Sequence, residues 1–218
     1  MIIFKSHETL NILKQFLPSN PVIVEAGAFH GNDTHRMAAL WPQGTIHAFE
    51  PVPEIYEQLI HTTQYDAHVH CHHAALSDKN GEALFYIAER TNKPGIASQA
   101  GSLHEPTASF NSSPMTFPRT TTVKTLTLTL WMQENNIAHI DLLWLDTQGH
   151  ELAILTAAQS ILKNISVILA EVSFVKRYEN QPSYDDVITW LTQQGFTYTG
   201  RDFANMSKST FGNVLFTR

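Results

Sequence analysis

Cysteine is almost missing from this chain: Cys71 is the only one in 218 residues. An internal disulfide is therefore excluded, and a reducing compartment is the simpler reading. Basic residues are scarce as well, 14 against 20 acids for a formal charge of −6, and no basic run exceeds the pair Lys176-Arg177. Such a chain shows no electrostatic footprint for a phosphate backbone, so no nucleic-acid partner is expected. Long apolar runs are also lacking. None approaches the roughly 20 residues that cross a bilayer, and the opening MIIFKSHETLNILKQFL is too polar for a signal peptide. The expectation is a cytoplasmic protein with no membrane partner. With 43% hydrophobic residues, no internal repeat and no sign of a second domain, residues 1–218 read as a single globular domain.

What is present is organised around Val22-Ile23-Val24-Glu25-Ala26-Gly27-Ala28-Phe29-His30-Gly31-Asn32-Asp33-Thr34. A short β-branched run ends in an acid, turns at two glycines and meets polar residues suited to start a helix. That is a strand feeding a tight loop into a helix N-terminus, a place where nucleotide-like ligands sit. Ile46-His47-Ala48-Phe49-Glu50-Pro51 is a second strand ending in an acid. Its spacing from Gly27, roughly 20 residues, lets a carboxylate hold a ribose hydroxyl pair. The dinucleotide fingerprint needs a second glycine two residues after the first, and here Phe29 stands there. Glu25 would repel a pyrophosphate and would suit a cationic ligand, which favours S-adenosylmethionine over NAD.

Along the chain, His7 to Leu17 has amphipathic spacing and is expected to pack on the sheet edge. Asp33 to Leu40 and Pro53 to Ile60 read as helices, and residues 45–49 and 67–73 as strands. Ser77 to Gly81 is turn chemistry, and Glu82 to Ile87 reads as a strand. Residues 89–118, rich in Ser, Pro and Gly, have little periodicity and read as a long loop, either a flap beside the pocket or a disordered insertion. Then come a strand at Thr121 to Thr127, a helix at Leu128 to Asn135, a buried strand at Ile140 to Asp146 and a helix at Glu151 to Leu162. A strand at Ser166 to Phe174, a helix at Tyr184 to Gly195 and two closing strands at 196–199 and 213–217, an antiparallel pair, finish the chain. The alternation predicts an α/β fold, a mostly parallel twisted sheet with helices on both faces, with Gly27, Glu50 and Asp146 meeting at one crevice.

Glu25-Ala26-Gly27-Ala28 with Gly31 and Thr34, Phe49-Glu50-Pro51, Ala75-Leu76-Ser77-Asp78 and Leu145-Asp146-Thr147-Gln148-Gly149-His150-Glu151 together resemble the FkbM-type methyltransferases. Ser98 to Leu103 is similar to a serine-rich stretch in that family. The resemblance covers roughly residues 22–175, with D-x-x-G-x-E its most specific part. Glu25 stands where Asp is commoner, and Phe29-His30 where smaller residues are usual. It implies a Rossmann-like class I fold with a seven-stranded sheet and an antiparallel C-terminal strand, S-adenosylmethionine as cofactor, and O-methylation of a sugar or natural-product-like small molecule. It also implies roles. Glu25 and the backbone from Gly27 through Ala28 and Phe29 to Gly31, with Asn32 and Thr34, would surround the methionine part. Glu50, followed by Pro51, would accept both ribose hydroxyls, and Ala75 and Ser77 would border the adenine. Asp146 would hold the ammonium or act on substrate.

Asp146 and His150 are the candidate general bases. A Mg²⁺ ion held by Asp146, Glu151 and Glu171 is conceivable but not favoured. His68, His70, Cys71, His72 and His73 look like a metal cluster, yet rigid sites draw ligands from separate segments, so solvated or edge-strand histidines are expected. Trp131, Trp144 and Trp190 read as core, and Trp41, beside Pro42, as a candidate for exposure. Two rival readings remain: a non-catalytic S-adenosylmethionine-binding scaffold, and an NAD-dependent oxidoreductase. No Tyr-x-x-x-Lys pair supports the latter.

Overall fold

A computed structural model describes residues 1–218, apart from the side chain of Lys208. In chain order the elements are β1 Ile2–Ile3, α1 Thr9–Leu13, β2 Val22–Ala26, α2 Asn32–Leu40, β3 Thr45–Phe49, α3 Pro53–Thr63, β4 Val69–His72, β5 Ala75–Leu76, β6 Gly81–Arg90, β7 Lys93–Ser102, β8 Met115–Leu126, α4 Leu128–Glu134, β9 Ile140–Leu145, α5 Glu151–Ala157, β10 Ile165–Ser173, α6 Tyr184–Gln193, β11 Thr197–Arg201 and β12 Phe211–Thr217.

The main sheet runs β1-β11-β12-β10-β9-β2-β3-β4. Only β12 runs antiparallel to its neighbours, β10 and β11. The sheet thus has the expected seven strands plus β1, a two-residue edge pairing of Ile2 and Ile3 with Gly200 and Arg201. The central strands are apolar on both faces because both are covered. Ile23, Ile46, Leu142 and Leu169 point to one side with Met37 of α2. Val24, Leu143, Leu145 and Ile168 point to the other, against Trp131, Leu155 and Leu191 of α4, α5 and α6. The switch in strand order falls between β2 and β9, so the ends of β2, β3 and β9 open on the same side.

Several expectations are corrected. The N-terminal helix is one short 3₁₀ turn plus α1, and Leu10 and Leu13 pack across the sheet face with Ile23, Ile46 and Leu142 rather than on an edge. Trp41 is buried in that cluster, because the turn after α2 folds it under the sheet. The histidines of β4 do lie on an edge strand, as expected: His70 is exposed and stacks with His47, while His72 stacks with Phe49 and meets Trp131 edge-on. Burial pushes His47 and His72 down to about 4. Among the described residues no three His, Cys, Asp or Glu side chains are placed to hold a metal ion. No helix among them is long and apolar enough to cross a membrane.

Residues 89–118 are not a structureless loop. They belong to a second sheet, ordered β5-β8-β6-β7, with a 3₁₀ turn at Ala108–Ser112. The long β6–β8 ladder, from Gly81 against Thr125 to Arg90 against Met115, supplies the backbone pairing that the polar sequence does not advertise. Tyr178 ties this sheet to the main one. It is 1% exposed, its hydroxyl donates to the Ala100 carbonyl at 2.7 Å, and its ring meets Phe110 and Phe117. Tyr178→Phe should leave that carbonyl without its partner at a cost of about 1–3 kcal/mol. The expected result is a thermal midpoint lower by several degrees and faster proteolysis within residues 103–113; an unchanged midpoint would contradict this role.

Candidate functional site

The site begins where β2 ends. Gly27 turns the chain with a φ of +88°, and a Cβ there would lie 1.9 Å from the Asp146 carbonyl oxygen, so only glycine fits. The Gly27 and Ala28 N–H groups both donate to the Phe49 carbonyl, at 3.1 and 3.0 Å. The Phe29 N–H donates to Glu50 at 3.1 Å, and the Gly31 N–H to the Ala28 carbonyl at 2.9 Å. These loop donors are therefore spent inside the protein. A phosphate-cradling loop needs them free. This loop instead ties β2, β3 and β9 together and leaves carboxyl groups facing the pocket.

Glu25, 4% exposed, accepts the Thr34 hydroxyl at 2.6 Å, and burial pushes its carboxyl up to about 8. Glu50, equally buried, accepts from the N–H groups of Phe29 and Val52, one on each oxygen, and burial again raises it to about 8. Each carboxyl oxygen keeps a second lone pair for a ligand hydroxyl. Asp146 accepts one amide hydrogen of Gln148 at 2.9 Å, and its own N–H holds the Ala26 carbonyl at 3.0 Å. Burial raises its carboxyl as well.

One pocket is lined by Glu25, Gly27, Ala28, Phe29, Asn32, Glu50, Pro51, Ala75, Asp146 and His150, all anticipated from the sequence. Three other anticipated residues stand behind it. Gly31 caps α2 and abuts Leu59, Thr34 holds Glu25, and Ser77 sits 3.0 Å from His150 Nε2. His150 is 7% exposed, with Nδ1 3.0 Å from His104 Nε2, and burial pushes its ring down to about 4. The lining also includes residues that sequence reasoning did not assign. Leu76, Phe85 and Trp144 supply apolar wall, His30 and Asp33 flank the loop, and Ser98, Gln99, Gly101 and Leu103 come from the second sheet. The serine-rich stretch was the one sequence signal for that last group.

The acids do not fit a Mg²⁺ centre. Glu151 turns back on its own loop and accepts from Thr147 N–H, the Thr147 hydroxyl and Gly149 N–H. Glu171 and Asp146 are bridged by the Gln148 side-chain amide, 2.8 and 2.9 Å from each. Burial and the neighbouring Asp146 hold Glu171 well above the usual carboxylate range. The pocket residues do fit S-adenosylmethionine: a buried acid on a strand end for its ammonium, a second for the ribose, and apolar wall for adenine.

Comparison with known proteins agrees. A family model described as the methyltransferase FkbM domain matches residues 25–198. The 2-O-methyltransferase NoeI of Sinorhizobium fredii is 28% identical over 163 residues, 74% of this chain and 67% of that protein. An rRNA methylase from Streptococcus thermophilus superposes with a TM-score of 0.56 at 13% identity, covering 100% of this chain and 98% of that one. The magnesium protoporphyrin IX methyltransferase of Synechocystis PCC 6803, solved with bound S-adenosylmethionine, gives 0.55 at 12% identity, covering 98% and 76%. At such identities the two solved structures speak for the fold alone. The family match, spanning most of the chain, decides the rest: this chain belongs to the FkbM methyltransferase family and is an S-adenosylmethionine-dependent methyltransferase.

Proposed function

We propose that this enzyme methylates a hydroxyl of a carbohydrate or other small-molecule acceptor, as a single domain working in the cytoplasm. The observation that carries the cofactor side of the reading is the pair of buried carboxyls, Glu25 and Glu50, beside a loop whose Gly27, Ala28, Phe29 and Gly31 N–H groups are already paired. A cation and a diol satisfy that arrangement, whereas the pyrophosphate of NAD does not. The hydroxyl as target is supported by the name of the 2-O-methyltransferase relative.

When bound, S-adenosylmethionine supplies a methyl carbon already activated by its sulfonium. Glu25 would hold the ammonium, and Glu50 would accept the ribose hydroxyls. In-line attack by the acceptor oxygen then requires alignment and removal of one proton. Asp146 is the better-placed base. Gln148 engages its Oδ1, and its raised proton affinity makes it a stronger acceptor than an exposed aspartate. His150 is neutral near pH 7, but both of its ring nitrogens are already engaged, by His104 and Ser77. It shapes the pocket wall, and Asp146 would take the proton of the acceptor hydroxyl.

Isothermal titration with S-adenosylmethionine and, in parallel, NAD tests the cofactor side. Micromolar binding of the former, weakened at least about tenfold in Glu50→Ala, is expected. Binding of NAD alone would overturn the reading, and binding of neither would favour a non-catalytic scaffold. Asp146→Asn should lower kcat about 10²–10⁴-fold while leaving the KM for cofactor within a few fold. A comparable loss in His150→Gln but not in Asp146→Asn would move the proton to the histidine.

A further inference from the structure

A second cavity opens beside the cofactor pocket and shares Phe29, Ser98 and Gln99 with it. Its outer rim is the tip of the β6–β7 hairpin, with Arg90, Lys93 and Ile96. Arg90 and Lys93 are register partners, directly opposite each other across the two-residue turn Thr91–Asn92. Like charges facing each other across a ladder destabilise the pair. Nothing nearby offsets them. The adjacent Glu89 gives one oxygen to Arg119 Nε at 2.7 Å and the other to Gly95 N–H at 2.6 Å, and Arg119 also reaches Glu54 at 3.1 Å. Among the described residues neither Arg90 nor Lys93 has a hydrogen-bond or ion-pair partner, and both are exposed. In a chain of net charge −6, two uncompensated cations are thus held side by side at the mouth of an acid-lined active site.

The polarity is ordered. Acids lie inside, where a cationic cofactor fits, and cations lie outside, one cavity further on. Between them stand the Phe29 ring, held by a backbone φ of +49°, and the polar side chains of Ser98 and Gln99. A sugar ring suits that middle section: an apolar wall for its C–H groups and amide and hydroxyl groups for its oxygens. A phosphate suits the rim, because an Arg fork beside a Lys point charge donates charge-assisted hydrogen bonds to its oxygens. We infer that the cavity bounded by Arg90 and Lys93 is the acceptor subsite, and that the acceptor is a sugar carrying a phosphate ester, whose phosphate is held at the hairpin tip while its ring hydroxyl reaches the methyl-transfer pocket. This inference rests on the hydroxyl-methylation reading and adds the charge class of the substrate.

The test titrates this chain, loaded with cofactor, with hexose 1-phosphates (glucose, galactose, mannose, fucose), their neutral methyl glycosides, and inorganic phosphate. Binding is followed by amide NMR shifts. At least one hexose 1-phosphate should bind about tenfold more tightly than its methyl glycoside. Its shifts should appear at Asn92 and Gly95, and its affinity should weaken as salt is raised. In the double variant Arg90→Gln/Lys93→Gln, exposed and free to fold, that advantage should disappear while S-adenosylmethionine affinity stays unchanged. The inference is overturned if no 1-phosphate outbinds its methyl glycoside, or if the double variant keeps the preference. It is equally overturned if inorganic phosphate binds as tightly as the best phosphosugar, which would mark a bare anion site. Should the wild type fail to bind S-adenosylmethionine, the methyltransferase mechanism falls by that separate measurement, and the phosphate preference of the free protein still decides the subsite.

Discussion

Two carboxylates, Glu25 and Glu50, are held out of water at the ends of adjacent parallel strands, and the neighbourhood is built to keep them there. Removing a carboxylate from solvent is costly, and a protein meets that cost by hydrogen-bonding the group or by letting it take a proton. Both answers are used. Thr34 donates to Glu25, the backbone of Phe29 and Val52 donates to Glu50, and burial raises both carboxyls to about 8. Just beyond Glu25, Gly27 passes so close to the Asp146 carbonyl that no side chain fits, continuing the β2–β9 pairing into the loop. Without a ligand the site holds two buried acids of raised proton affinity. A ligand bringing a cation and a diol satisfies both.

The second sheet completes the pocket from above. The β6–β7 hairpin and the turn after it contribute Phe85, Ser98, Gln99, Gly101 and Leu103 to the wall, and Tyr178 anchors that wall to the main sheet through the Ala100 carbonyl and Gln148. Gln148 is the hub. Its amide bridges Asp146 and Glu171, and its carbonyl oxygen meets the Tyr178 hydroxyl at 3.2 Å. One side chain thus touches Asp146, Glu171 and the tyrosine that anchors the second sheet.

How far the sequence announces this depends on the range of the interactions involved. β2, β3, β9 and β10 are legible because a strand buried on both faces must be apolar throughout, and each of the first three ends near an acid. The glycine loop and the ribose-acid spacing place Glu25, Glu50 and Asp146 in one crevice for the same reason. Residues 89–118 are not legible. β7 has a single neighbour and an exposed outer edge, so Pro94, Gly95 and the serines violate no packing rule, and the order comes from pairing on β6, with β7 through the hairpin and with β8 through the ladder from Arg90–Met115 to Gly81–Thr125. Spacing also fails to say which side of a loop a small polar residue faces. Thr34 and Ser77 belong to the supporting layer for that reason, as hydrogen-bond partners of Glu25 and His150. Glu151 was legible as an acid at a helix start, and its capping of the Thr147 to Gly149 turn removes it from any metal set.

The central claim is that buried, protonated carboxyls wait for a cationic cofactor, and proton release on binding measures it most directly. S-adenosylmethionine should favour the ionised forms of Glu25 and Glu50, whose free carboxyls stay protonated below about 8. Calorimetric titration at pH 7 in buffers of different ionisation enthalpy should therefore show net proton release. The affinity should rise as pH climbs from 6 toward 8 and then level, and the release should shrink in Glu25→Gln. Binding without proton release, with an affinity flat across that range, would contradict the account.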